Sequence, residues 1–510
     1  MIVEPDAPLP ERVETLVIGA GTIGLPLAVK LAETTGKPVL CLDSGGWSQA
    51  GDTHPLNAVE QRGDRYDGAD LGRFRGLGGT STRWGGALIP FQPADMTGWP
   101  VSSEELAPFI GEVEQLFGLD PGTYHGSDPM LDGPDMVPRL AKWPPFAKRN
   151  VWKLLEGEVR RSDTCSVALE NVVTNLASEA DAIRVEIARP NAWHVIHASK
   201  VIIAAGAIET TRLALLLDRA MDGAVSRMSP LLGRTFGDHL SVEVGRIVPR
   251  DRVALNRLFG FRFARSGMMR NLRFELAPET PLRETVRPGF VHVGYATDGD
   301  TGFDHLRAAM QAVQRGTMPS GGAVAGLLRD LPWLARAVKW RFADKRQLFP
   351  DGADLVVHCV IEQGHERDSR ITLSDTLSDA HGTPLPAIDW TVTPADVEQL
   401  HALADIFERH WDRGELAGLG TFERFPRAGV EQALVHSGGI YHPTGSTRMA
   451  ASAADGVVDA DLRLFAEPRV QLVGTSVLPS GGGANPTMTA LLLAMRLAAQ
   501  HGRASRRQGR

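Results

Sequence analysis

The sequence predicts an α/β protein whose first domain is a Rossmann-like dinucleotide-binding unit, and three features carry that prediction. Residues 13–43 read as strand, glycine turn, helix and strand. A second glycine cluster follows at residues 76–86. Near the C-terminus a histidine-bearing loop and a glycine-rich turn lead into an apolar helix.

In the first unit, Val13 to Ile18 form a short, mostly apolar strand of the kind covered on both faces. It runs into Gly19-Ala20-Gly21-Thr22-Ile23-Gly24, a G-x-G-x-x-G. Gly19 permits the tight turn, Gly21 lets a pyrophosphate approach the backbone, and Gly24 lets helix and strand pack closely. Free amides at the helix start supply an anion site. The helix continues over residues 25–32 with Pro26 at the edge of its first turn. The second strand, residues 39–43, ends in Asp43, 19 residues after Gly24, where a carboxylate can grip a ribose hydroxyl. This unit alone does not separate one dinucleotide from another.

The second cluster packs Gly76, Gly78, Gly79, Gly85 and Gly86 around Thr80, Ser81 and Trp84. Glycines this dense let a backbone lie against a flat ligand and offer main-chain N–H groups to it. Thr80 and Ser81 add hydroxyl donors. A tryptophan between glycine pairs argues against a merely flexible loop.

Two C-terminal segments read as one site. In the first, Tyr441-His442-Pro443, the histidine is a candidate general base near neutral pH. In the second, Asn485-Pro486-Thr487 reads as an N-cap with proline at the first helical position, its amides aimed at an electron-rich group. The bland alternatives are a satisfied loop histidine and a purely structural cap.

Composition sets the outer bounds. With 510 residues more than one domain is expected, and 43% hydrophobic and 23% charged residues are ordinary for a globular chain. The 54 basic and 61 acidic residues give a net charge of −7, which offers no reason to propose nucleic acid as a partner. Cys41, Cys165 and Cys359 are far apart and form no C-x-x-C, so neither disulfides nor a metal site is expected. Residues 1–14 lack the features of a signal peptide, and no run of about 18 apolar residues occurs. The expected location is the cytoplasm.

In this order, GAGTIG, GGTSTRWGG, HPTGSTRM and SGGGANPTMT resemble the glucose-methanol-choline (GMC) oxidoreductase family. Residues 361–363 and 368–373 look like the family's substrate-domain strands. The resemblance implies FAD, an FAD-binding domain of the GMC and p-hydroxybenzoate hydroxylase type, and an α+β substrate domain built on an antiparallel sheet. It implies His442 and Asn485 as the catalytic pair. It implies cofactor contacts at Val173, Ala205, Gly206, Gly474 and Thr475, beside Gly19, Gly21, Thr22, Ile23, Gly24, Asp43, Gly78, Gly79, Thr80, Ser81, Trp84, Gly85, Gly86, Pro486 and Thr487. Some relatives tether FAD through a histidine just before the residue matching Trp84; Arg83 stands there, so FAD is expected to be non-covalent.

The expected FAD-binding domain comprises residues 1–95, 160–235 and 455–510. The substrate domain comprises 96–159 and 236–454, with a helical insertion at about 298–350. His239, in Gly237-Asp238-His239, lies where the chain crosses between them, and is read mainly as structural, with proximity to the flavin as the alternative. Within the insertion, residues 327–350 carry six basic and two acidic residues. Read as one helix, Leu331, Leu334, Val338 and Phe342 form its inward stripe and Trp333 and Trp340 face away. That outer face is expected to pack within the chain or to dock a subunit, membrane surface or electron acceptor. The tail, 501–510, carries four arginines and is expected to be disordered.

The functional expectation is oxidation of an alcohol, with a sugar, glycoside or polyol as substrate, by hydride transfer to flavin with His442 as base. The alternative is a lyase or isomerase that holds FAD without net redox turnover. Oxygen, a quinone or a cytochrome remain open as acceptor. No C-x-x-C-H haem motif occurs, so a cytochrome would be a separate chain.

Overall fold

The computed structural model describes residues 1–49, 51–314, 317–366 and 368–508. Its first sheet has the strand order Ile2–Val3, Cys165–Ala168, Val39–Leu42, Arg12–Ile18, Ala192–Ile203, Ile183–Arg189, Val172–Ser178. Pairing is parallel through the first four strands and on to Ala192–Ile203, then antiparallel for the last two. The C-terminal end of Ala192–Ile203 also takes Val470–Leu472 as a parallel neighbour. Distant parts of the chain therefore meet in one sheet. Leu16, Val17, Cys41 and Leu42 are buried within it, as continuous apolar strands in a covered parallel sheet should be.

The second sheet is antiparallel throughout. It runs Arg262–Phe263, Met269–Leu276, Gly289–Ala296, Asp354–Glu362, His239–Pro249, Gly420–Arg424, with Met136–Trp143 against Met269–Leu276. Helix Pro394–Arg413 covers it with Leu400, Leu403, Ile406, Phe407 and Trp411. The expected α/β cofactor domain and antiparallel substrate-side sheet are thus the architecture found. A third sheet joins Glu60–Gly63 to Arg370–Ser378 and Pro384–Trp390, so a strand from each expected domain shares its hydrogen bonds.

The insertion is helical but not one helix. Gly302–Gln314, Gly321–Arg329 and Leu331–Lys339 are separate, broken at Asp330 and followed by a wider turn over Trp340–Asp344. Trp333 packs within the chain, one of the outcomes expected for its face, whereas most of the aliphatic stripe expected to face inward is exposed. Trp333 is 4% exposed and packs edge-on to Phe303 beside Tyr295 and Phe349. Leu331, Val338 and Phe342 are 52%, 49% and 65% exposed. An aromatic cluster offers an indole more contact area than it offers a leucine, and the larger side chain takes the inner face.

The tail also differs from the expectation. Helix Thr487–Gln508 continues through it, with His501 bonded to Gln471 and Ser505 to the Thr35 carbonyl. Residues 509–510 lie outside the described part. All three cysteines are free and buried. Among the described residues, no helix is long and apolar enough to cross a membrane.

Candidate active site

A long cavity runs along the C-terminal edge of the parallel strands, where ligands of open α/β sheets collect. Its walls bring together Gly19, Gly21, Thr22, Ile23, Asp43, Gly79, Thr80, Trp84, Val173, Ala205, Gly206, Gly474, Thr475 and Thr487 from seven distant stretches of chain. The first glycine loop leads into helix Gly24–Thr35, whose N-terminus has no side-chain cap. Helix Ala207–Ala220 likewise starts uncapped at Gly206. Both leave amide N–H groups for a ligand.

Gly24 is a packing glycine: a Cβ there would stand 1.9 Å from the Gly19 carbonyl oxygen. Gly79 has φ +50°, and its Cβ would stand 2.8 Å from the Gly21 Cα. The two glycine loops therefore touch each other at the cavity. Gly24, Gly78, Ser81, Gly85, Gly86 and Pro486 do not line it. Ser81 is instead a buried brace, donating to the Gly78 carbonyl at 2.5 Å and accepting from the Val151 N–H at 3.0 Å. Trp84 lines the cavity while its Nε1 donates to the Arg149 carbonyl.

Asp43 sits deeper than a ribose ligand alone requires. Its carboxylate accepts N–H groups of Ala20, Gly45 and Gly76, at 2.8, 2.9 and 3.0 Å, and so ties both glycine loops to the second strand. Arg73 and Arg75, just before the second cluster, line the cavity unanticipated; two arginines beside a glycine run were the available signal. Arg75 is fully engaged with Ser44, Asn57, the Leu56 carbonyl and Glu209. Arg73 is not: its Nη1 is buried without a hydrogen-bond partner, and burial lowers its pKa to about 10. An arginine N–H orphaned in a cavity wall calls for an acceptor oxygen.

At one end, Tyr441 and Pro443 are part of the wall and flank His442. His442 Nε2 lies 3.2 Å from Asn485 Nδ2. Asn485 is not a cap. The helix starts at Thr487, and the Asn485 Oδ1 accepts from Arg273 Nη2 at 2.8 Å. The buried arginine captured the oxygen a cap would have used, and turned the amide into the site. On the far side of His442, Nδ1 lies 3.3 Å from His239 Nδ1, with the rings near perpendicular at 87°. His239 Nε2 lies 2.8 Å from the Gly482 carbonyl oxygen.

Asp238 anchors this group. It accepts the N–H of His239 at 2.6 Å, of His442 at 2.7 Å and of Tyr441 at 3.0 Å, and the Tyr66 hydroxyl at 2.7 Å. Tyr441 is held at φ +67°, a region rare for residues with a side chain. Burial pushes the Asp238 carboxyl up to about 7, against the pull of these four donors. Asp238, His239 and His442 place ligating atoms within 4.8 Å of one another, but their hydrogen bonds already use the carboxylate and the outer nitrogen of His239. Burial holds His442 well below the usual histidine pKa, with His239 and Arg273 adding to the effect.

The turn that carries Asn485 is clamped by two more carboxylates. Glu362 accepts the N–H groups of Gly481 and Gly482, and Asp95 accepts that of Gly483. Asp238, Arg273, Glu362 and Asp95 escaped the sequence reading of the site. Asp238 and Glu362 lay in segments singled out there for other reasons, and none of the four carries a local signal.

Residues 365–494 match the family model described as GMC oxidoreductase. A 2-methyl-1,2-propanediol dehydrogenase of Mycolicibacterium austroafricanum is 22% identical over 95% of this chain and 94% of its own. A paromamine 6'-oxidase of Streptomyces fradiae is 30% identical over 29% of this chain and 25% of that protein. Among solved structures, pyridoxine 4-oxidase of Mesorbium loti has a TM-score of 0.60 at 16% identity, over 96% of this chain and 99% of that one. Formate oxidase of Aspergillus oryzae RIB40 has 0.58 at 15%, over 98% and 100%. The fold is that of these oxidases. Residues 365–494 carry the GMC oxidoreductase domain of that family model, and the fold along the whole chain is similar to that of these solved oxidases.

FAD is the cofactor of that family, and the residues present fit it. Two contacting glycine loops, two uncapped helix starts and the orphaned Arg73 N–H offer a dinucleotide the donors its phosphates and ring oxygens need.

Proposed function

We propose that this chain oxidises a CH–OH group of a sugar, glycoside or polyol to the carbonyl, with FAD held non-covalently. The observation that carries the reading is the meeting of His442 Nε2 and Asn485 Nδ2, with His442 flanked by Tyr441 and Pro443 of the cavity wall. A substrate hydroxyl inserted between them donates to His442 Nε2 and accepts from the Asn485 N–H. His442 takes the hydroxyl proton while Asn485 holds the same oxygen, and Arg273 keeps Asn485 turned toward it. Bound FAD supplies the hydride acceptor for the carbinol C–H. Proton removal by a positioned base is worth about 10²- to 10⁴-fold, and placement of the reacting groups adds to that.

The substrate class is supported by what lines the antiparallel sheet beside the pair. Arg273 Nε and Nη1 are buried donors without a partner, and Glu275 Oε1 and Gln92 Oε1 are buried acceptors without one. A molecule with several hydroxyls that reached these buried groups would offer them both donors and acceptors. The relatives named for a propanediol and for paromamine point to the same class.

Anaerobic addition of sugars, glycosides, polyols and simple alcohols to the purified holoenzyme tests the reading. One polyhydroxylated class is expected to bleach the visible flavin band. A bound flavin that no alcohol bleaches would favour the lyase or isomerase alternative.

Arg83 supports the non-covalent reading. Its guanidinium reaches away to Asp52 and to the carbonyls of Gln49 and Gly51. Acid precipitation is expected to release the yellow chromophore into the supernatant; a yellow pellet would overturn the non-covalent assignment.

A further inference from the structure

Arg273, Asn485, His442, His239 and the Gly482 carbonyl form one hydrogen-bonded line, and its polarity can be read from both ends. A guanidinium only donates, so the Asn485 atom 2.8 Å from Arg273 Nη2 is the oxygen, and the amide nitrogen faces His442. An amide NH2 only donates, so His442 Nε2, 3.2 Å away, accepts and carries no hydrogen. At the other end a carbonyl oxygen only accepts, so His239 Nε2 carries the hydrogen, at 2.8 Å. A neutral His239 then has a bare Nδ1. That atom faces His442 Nδ1 at 3.3 Å, and His442 must be the donor. Both ends give the same answer.

We infer that His239 is a positioning residue that holds His442 in its Nδ1–H tautomer, leaving the Nε2 lone pair for the substrate hydroxyl. The inference rests on the reading of His442 as the base. In the absence of substrate, Asn485 and His239 both impose this tautomer. With an alcohol between His442 and Asn485, the Asn485 N–H turns to the alcohol oxygen, and His239 alone then specifies which nitrogen of His442 is bare. Once His442 has taken the proton, its Nδ1–H still has an acceptor, so the imidazolium forms without an orphaned donor. Burial favours neutral rings in both residues, and two charged rings would point two hydrogens at each other. His239 is well placed for this work. It is fully buried, opens strand His239–Pro249, and is fixed through its own N–H by Asp238.

Two substitutions separate this role from simple packing. His239→Asn places an amide oxygen where Nδ1 lies and keeps the acceptor for His442. His239→Gln places its amide where Nε2 lies, which keeps the Gly482 contact but leaves His442 Nδ1–H unpaired. In holoenzyme with saturating substrate, His239→Gln should lose about 100-fold or more in kcat with little change in KM, and His239→Asn should keep most of it. Equal losses in the two variants, or wild-type kcat in His239→Gln, would overturn the inference.

A readout independent of turnover is the ¹⁵N spectrum of histidine-labelled holoenzyme, with His442 assigned by its loss in His442→Ala. The wild-type spectrum should show His442 protonated at Nδ1 and bare at Nε2; the opposite pattern overturns the inference even if neither His239 variant folds. Normal turnover in His442→Ala would instead remove the base reading and leave the spectrum as it was.

Discussion

His442→Ala is expected to bind FAD normally and to lose about 100-fold or more in turnover, because the hydroxyl proton then has no positioned acceptor. The side chain sits between Asn485 and His239 rather than on the glycine loops, so flavin content and its visible spectrum should match the wild type. The same argument fixes a pH profile. Burial first, then His239 and Arg273, hold the His442 pKa well below the usual histidine value. The base is therefore neutral and competent at pH 7, and kcat/KM should stay level as pH falls through the ordinary histidine range. Activity is lost only at lower pH, where His442 finally protonates. The stability term has the same sign: a histidine whose folded pKa is depressed contributes stability above its unfolded pKa, and loses it as pH falls through the folded value. Turnover within a few-fold of wild type in His442→Ala would remove the residue from the chemistry.

Asp238→Ala should be the most damaging single change near the site. It would strand three backbone N–H groups and the Tyr66 hydroxyl in a buried setting. Each orphaned donor costs about 1–3 kcal/mol, and with partial relaxation a total of about 4 kcal/mol is expected. Two of those donors belong to Tyr441 and His442, so the loop that presents the base loses its anchor along with the stability. Asp238→Asn should be milder. Its amide oxygen can still accept from His239 and His442, and the tyrosine hydroxyl can reverse to accept from the new NH2, leaving the Tyr441 N–H opposed. Denaturant unfolding of holoenzyme and kcat measured together check this. An Asp238→Ala protein within about 1 kcal/mol of wild type would show that Asp238 does not anchor the loop.

Much of the cofactor side was legible because its signals are local. A glycine turn between a strand and a helix can be read within six residues, and nine residues named from such local motifs line one cavity with five more named from the resemblance. His442 and Asn485 were also named together, although 43 residues apart, because each sits in its own motif. Asn485 was misread in detail for a physical reason. Asn-Pro-Thr before an apolar run satisfies every local rule for a cap, and nothing nearby announces that Arg273, 212 residues away, takes the side-chain oxygen.

The aliphatic stripe of the helical insertion was misplaced in the same way. A stripe at helical spacing identifies two faces, but not which one meets an aromatic cluster built from Tyr295, Phe303 and Phe349.

By itself the sequence determined the dinucleotide unit and the second glycine loop, since backbone geometry and short spacing impose those features wherever the chain carries them, and it singled out the two segments that bring His442 to Asn485. Only the tertiary structure decided the orientation of Asn485, the anchoring of His442 by Asp238 and the partner at its second nitrogen. Those depend on strands of the antiparallel sheet arriving from 200 and more residues away, and a hydrogen bond between distant elements leaves no periodicity for a sequence to show.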